Sequence, residues 1–194
     1  MSDWSPAAEE LQTARLSLRR PTQGDIEAIF GIHRDPRTCA HNPSDALARL
    51  EDAQELYRRW DNQWRQYGYG YWVVLCHGSD QQLGFCGIKP MELHGVEVLN
   101  LFYRFATSAW GQGFAGEAAT KVTAWASRHV PARPLIARIR PANIASQRVA
   151  IRAGLARAEH LDVTGSDGLD WIYTARPLAS STGEVISDRG PFVA

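Results

Sequence analysis

Residues 105–119 read FATSAWGQGFAGEAA, and this stretch decides the fold. The run before it, Val96 to Phe105, reads as a strand, and Gly113 to His129 reads as an alanine-rich helix. Between them Gly111, Gly113 and Gly116, with the small Ala115, leave backbone N–H groups uncovered and let a ligand come close to the chain. The helix directs the positive end of its dipole at the same place. A strand, a small-residue loop and a helix start together make an anion site suited to phosphate or pyrophosphate. The same glycine spacing also suits a tight turn that packs a helix on a sheet, so spacing alone leaves both readings open. A Walker loop is excluded, because no Gly-Lys-Ser/Thr follows. A dinucleotide fingerprint fits poorly, since it should follow a first strand and at least three predicted strands precede this loop.

Upstream, residues 14–20 alternate apolar and polar, the pattern of a half-buried strand that Pro21 ends. Thr22 or Asp25 caps a short helix from near Ile26, interrupted at Asp35-Pro36. After a polar stretch, Arg37 to Pro43, an amphipathic helix is expected from about Ser44 to Tyr67, with Leu47, Leu50, Leu56, Trp60 and Trp64 at helical spacing. Tyr71 to Cys76 and Leu83 to Ile88 are strands, and a turn at His94-Gly95 leads into Val96 to Phe105. Three neighbouring runs of this kind favour an antiparallel meander. Downstream come a strand at Leu135 to Arg140, a helix at Asn143 to Arg152 ended by Gly154, and closing strands at Leu155 to Val163 and Leu169 to Ala175. That order sets parallel strands beside the meander, an α/β fold with a mixed sheet. Residues 1–12 read as a lead-in, 13–178 as one domain, and 179–194 as a tail without periodicity.

A chain of 194 residues with 44% hydrophobic and 22% charged residues suits one globular domain. Lysine plus arginine equals aspartate plus glutamate at 21 each. This balance argues against a general nucleic-acid or anionic-membrane binder, and no apolar run approaches the roughly 20 residues that span a bilayer. Cys39, Cys76 and Cys86 are widely spaced and lack a CxxC pair, so no metal site is expected. With the acidic opening MSDWSPAAEEL, which has no apolar signal core, they point to a cytoplasmic protein.

The segment from Trp110 to Ala118, WGQGFAGEA, resembles the acyl-CoA pyrophosphate loop of GNAT N-acetyltransferases. It is most similar to the branch that acetylates the N-termini of ribosomal proteins. Three further stretches agree in order: residues 13–19 resemble that branch's opening strand, residues 100–105 its central strand, and Asn143 through Leu155 its Asn-x-x-Ser helix and the turn after it. The resemblance implies a central mixed, mostly antiparallel sheet of about seven strands flanked by about four helices. It also implies transfer of an acetyl group from acetyl-CoA to a primary amine, either a peptide N-terminus or a small molecule. A longer donor such as succinyl-CoA, or a non-catalytic CoA-binding module, stands as the alternative. Edge strands in this fold often pair, which puts a homodimer among the expectations.

By the same resemblance, the N–H groups of Gln112, Gly113, Phe114, Ala115 and Gly116 hold the CoA pyrophosphate. Phe105, Ala106 and Thr107 pair with the pantetheine amides, and a backbone N–H there polarises the thioester carbonyl, worth about 3 kcal/mol. Asn143 contacts the pantetheine arm, and Ser146 protonates the departing thiolate. Asn143 and Ser146 lie three apart on a first helical turn, where a plain helix cap is the competing reading. Arg148, Arg152 and Lys121 are candidates for the CoA phosphates. No general base is assigned: Asn100 stands where the branch often has Glu, Glu97 lies three residues earlier and so points to the other face of the strand, and Glu92, His94 and His160 read better as turn or surface residues. His33, His41, Trp60 and Trp64 are expected on the acceptor side, and Cys86 has no suggested partner as an acyl-carrying nucleophile.

Overall fold

The computed structural model describes residues 10–178, so the expected tail and most of the lead-in lie outside the described residues. The chain opens with β1 (Leu11–Gln12) and β2 (Leu16–Arg19), followed by α1 (Ile26–Arg34) and α2 (Leu50–Tyr67). The meander is β3 (Tyr71–Cys76), β4 (Gln82–Leu93) and β5 (Val96–Phe105). Then come α3 (Phe114–His129), β6 (Leu135–Ile139), α4 (Ile144–Arg152), β7 (Ala156–Arg157), β8 (Val163–Gly165) and β9 (Gly168–Thr174). Among the described residues the sheet runs β1-β2-β3-β4-β5-β6-β9-β7, with β8 paired to β9. Every strand pairing among these residues is antiparallel except β5 with β6. The expected mixed, mostly antiparallel sheet with four helices is the fold observed.

Alternation along the strands sends side chains to two faces. One face carries Leu99, Leu101, Phe105, Ala137 and Ile139, buried with Phe114, Ala118 and Val122 of α3. The other carries Tyr71, Val73 and Phe85, buried with Ile29, Ile32 and Trp60 of α1 and α2. Thus α1 and α2 cover one face, and α3 and α4 the other.

One pairing positions the site. β5 and β6 are in register only at Leu99 with Leu135 and Asn100 with Ile136. Both strands continue, β5 to Phe105 and β6 to Ile139, and beyond that point they part. A parallel pair that opens this way exposes two facing rows of backbone groups without breaking either strand.

The expected start of α2 at Ser44 is displaced. Pro43–Asp45 forms a single 3-10 turn, Ala46 is extended, and the helix begins at Leu50. Asp45 and Ser44 are drawn away from a helical path by partners elsewhere in the chain: Asp45 pairs with Arg104 at 2.7 Å, and the Ser44 hydroxyl donates to Asp167 at 2.6 Å.

Candidate functional site

Gly111 and Gly113 adopt φ of +75° and +78°, and Gly113 occupies the cap position of α3. No side chain caps this helix. The first-turn N–H groups at Phe114, Ala115 and Gly116 therefore have no acceptor within the helix and face outward at its positive end. Two guanidinium groups stand over them. A Cβ built on Gly113 would lie 3.6 Å from Arg15 Nη2 and 3.6 Å from Arg152 Nη1. On Gly116 a Cβ would meet Arg152 Cδ at 2.7 Å, so this glycine makes room for the Arg152 side chain to lie over the loop.

The loop is fixed from a distance. Glu117 accepts from the Thr13 hydroxyl at 2.6 Å, from Arg15 N at 3.0 Å and from Arg15 Nε at 2.7 Å. Arg15 Nη1 in turn donates to the Gln112 carbonyl at 3.0 Å. Burial would raise the Glu117 carboxyl, but Thr13 and Arg15 together hold it below its ordinary value. Sequence reading singled out neither Arg15 nor Glu117 as a partner of the loop; Glu117, directly behind the glycines, was the available signal.

Beside the loop lies the open end of the sheet. Ala106 N–H donates to the Leu83 carbonyl at 2.8 Å, so Gly84 and Phe105 form a non-hydrogen-bonded pair in the β4–β5 ladder. Alternation then turns the backbone groups of Leu101, Tyr103 and Phe105 toward the gap with β6. The Phe105 carbonyl is taken by the Trp110 indole N–H at 3.0 Å. Of the expected strand segment, the Phe105 N–H therefore faces the gap, Ala106 N–H belongs to β4, and Thr107 begins a 3-10 turn, Thr107–Ala109.

Across the gap, Asn143 caps α4, its Oδ1 accepting from Ser146 N at 3.0 Å. The Ser146 carbonyl accepts the buried Tyr103 hydroxyl at 2.7 Å, which ties β5 to the start of α4. This tether was absent from the sequence reading, because it joins two elements that share no sequence pattern.

These pieces line one cavity of about 1440 Å³, together with His33, His41, Trp60, Asn100, Phe102, Arg104, Arg138 and Arg140. Gly113, Phe114, Ala115, Gly116, Phe105, Asn143, Ser146, Arg148 and Arg152 all border it, and it extends through the gap to the α1–α2 side. Arg148 is exposed on α4, whereas Arg152 lies against the loop.

The acceptor side differs from expectation in its details. His33 is 3% exposed, with Nδ1 2.9 Å from the Ile29 carbonyl and its ring packed on Trp60, Phe85 and Phe102. Burial, aided by the charge of Arg104, lowers its pKa to about 4. Asn100 Oδ1 is buried without a hydrogen-bond donor. Glu97 pairs with Arg133 at 3.2 Å and His94 Nε2 lies 3.1 Å from the Leu161 carbonyl; neither lines the cavity, nor do Glu92 and His160. Burial raises the Cys86 thiol far above its ordinary range. Among the described residues no group of three or more metal-ligating side chains is assembled, and no helix is long and apolar enough to cross a membrane.

Comparison with known proteins agrees with this fold. Residues 15–156 match the model of the acetyltransferase (GNAT) domain. The uncharacterized protein YkkB of Bacillus subtilis is 31% identical over 155 residues, covering 77% of this chain and 86% of that protein. An acetyltransferase of Agrobacterium tumefaciens superposes with a TM-score of 0.73 at 22% identity, over 90% of this chain and 98% of the other. RimL, a ribosomal-protein alpha-N-acetyltransferase solved in complex with coenzyme A, superposes with a TM-score of 0.69 at 16% identity, over 86% and 97%.

Proposed function

The chain belongs to the GNAT acetyltransferase family, and from that premise we propose that it transfers the acetyl group of acetyl-CoA directly to a primary amine, on a peptide N-terminus or a small molecule. One observation carries the reading: the gap between β5 and β6 opens onto a glycine-lined helix start flanked by Arg15 and Arg152. Its exposed N–H donors and flanking guanidiniums suit a pyrophosphate joined to an amide-bearing arm. The first-turn amides at Phe114, Ala115 and Gly116 bind the pyrophosphate, with Arg15 and Arg152 adding charge. The exposed edge groups of Leu101 and Tyr103 hold the arm as an added strand would be held.

Coenzyme A, when bound, supplies the acyl group as a thioester; the protein's own residues do the rest. The Phe105 N–H donates to the thioester carbonyl. Ser146, held at the start of α4 by the Asn143 cap and the Tyr103 tether, delivers a proton to the departing sulfur and is reprotonated by water, to which the acylated amine loses its own proton. Asn100 cannot take a proton from the amine, but its vacant Oδ1 orients one by accepting a hydrogen bond. No covalent relay through Cys86 is needed.

A second reading, a longer donor such as succinyl-CoA, draws support from Arg104, Arg138 and Arg140 beside the gap. The test of both is thiol release from acetyl-CoA and succinyl-CoA over a panel of amines and peptide N-termini. Faster release with acetyl-CoA for at least one amine supports the proposal. Binding of CoA without release from either donor would reject an enzymatic role.

A further inference from the structure

The acceptor half of the cavity is unusually cationic for a protein of zero formal net charge. On the α1–α2 side its lining includes Arg59, Lys89, Arg104, Arg138 and Arg140, with Arg37 paired to Asp35 at 2.7 Å, against Asp45, Asp167 and Asp170. All three acids are already engaged. Asp45 pairs with Arg104 at 2.7 Å, and Asp170 with Arg138 at 2.5 Å and Arg140 at 3.3 Å. Asp167 lies 3.9 Å from Arg140 and accepts from Ser44. Arg59 and Lys89 have no ion-pair partner among the described residues. A polycation would find no unpaired carboxylate here.

The two innermost guanidiniums are incompletely used. Arg104 is 8% exposed and Arg140 7%; Arg104 Nη1 is buried without a hydrogen-bond acceptor, and Arg140 Nη1, which pairs with the Asp170 carboxylate at 3.3 Å, makes no hydrogen bond of good geometry. Register explains why they lie on one face of the sheet. Asn100 pairs with Ile136, so Phe102 and Arg104 on β5 share a face with Arg138 and Arg140 at the end of β6 and beyond it. Where the strands part, these side chains flank the opening. Buried donors of this kind are normally satisfied, and a carboxylate matches a guanidinium fork.

The surroundings set the rest of the ligand. His33, Trp60, Tyr71 and Phe102 form flat apolar walls. The α1–α2 segment is tied to the β8–β9 turn and to Arg140: Ser44 N and Oγ donate to Asp167 at 3.2 and 2.6 Å, and Arg140 Nε donates to the His41 carbonyl at 3.2 Å. A wall fixed in this way suits a small molecule better than a long peptide.

We propose that the acceptor is a small amine that also carries a carboxylate on an aromatic or apolar body, with Arg104 and Arg140 reading the acid. This rests on the acyltransfer reading for the amine, but the acid preference is measurable without turnover. Calorimetry of the full chain loaded with CoA compares hydrocinnamate with its neutral amide, hydrocinnamamide. The acid is expected to bind about tenfold tighter or more, because charge-assisted forks are roughly twice as strong as neutral hydrogen bonds. Lys89→Gln, an exposed change that spares the buried network, is expected to reduce that advantage at low salt, and Arg140→Gln to abolish it. Equal binding of acid and amide overturns the proposal. So does a tenfold preference for succinyl-CoA over acetyl-CoA, which assigns the carboxylate to the donor. A parallel comparison of phenylalanine with phenethylamine separates the two claims. Turnover of both at equal kcat/KM keeps the transferase and rejects the acid site; acid-selective binding without turnover does the reverse.

Discussion

Acidification should weaken this fold through one imidazole on the acceptor wall. His33 is packed between Trp60, Phe85 and Phe102, and burial with the nearby Arg104 charge lowers its pKa to about 4, against the opposing pulls of the Ile29 carbonyl and Asp45. In the unfolded chain it titrates near 6.5. Between these values the unfolded state binds a proton that the folded state does not, so stability is full above pH 6.5 and falls as pH drops toward 4. A gap of about 2.5 pKa units is worth about 3 kcal/mol in full, of which about 2 kcal/mol is lost between pH 7 and 5. Asp25 adds a loss in the same direction at lower pH: burial would raise its carboxyl, but Arg19, Thr22 N–H and Gln82 hold it below its ordinary value. A comparison with His33→Gln isolates the imidazole. Urea unfolding at pH 7, 6 and 5 should show the native protein losing about 2 kcal/mol more than the variant across that range. Parallel stability curves would refute the claim that His33 is held neutral by burial.

Three other outcomes are expected. Gly113→Ala must place an L side chain at φ +78°, which costs about 1–2 kcal/mol, read as a lowered Tm; the built Cβ contacts of 3.6 Å are ordinary, so an unchanged Tm would mean that the loop relaxes. Ser146→Ala should lower kcat by about 10²-fold or more with CoA affinity nearly unchanged, and an equal loss in both would reject the proton-donor role. Cys86, buried and raised by desolvation, should resist alkylation of the native protein without loss of activity; recovery of an acyl group on this thiol would overturn direct transfer.

Much of this architecture was legible from local pattern, and the exceptions have local reasons. Tyr71–Cys76, Val96–Phe105 and the helix over Phe114–His129 stand where periodicity puts them. The strand expected to end at Ile88 runs on to Leu93 through Pro90. Pro90 opposes Leu99 at a non-hydrogen-bonded position, so its nitrogen faces the β3 side, where β3 pairing reaches only to Tyr71 opposite Gly87. No ladder bond is lost. The two-residue strand at Leu11–Gln12 exists only because β2 offers it an edge, which no short window reveals, and the strand expected over Leu155 to Val163 shrinks to Ala156–Arg157 on the edge of β9 because Glu159–Leu161 turns into a 3-10 helix.

The site divides in the same way. A glycine-rich helix start can be read from nine consecutive residues, whereas its support from Arg15 bridges 102 positions to Glu117. Arg104, Arg138 and Arg140 look like ordinary alternating strand residues in sequence. Their convergence depends on β5 and β6 parting after Asn100, a property of the register and not of either strand alone.

The central claim, that the opening beside Gly113 receives acyl-CoA, is tested most directly by calorimetric titration of acetyl-CoA into the protein and into Gly113→Trp. The account predicts one-to-one binding to the native chain and its loss in a variant whose circular dichroism is unchanged. Undiminished binding by that folded variant would contradict it.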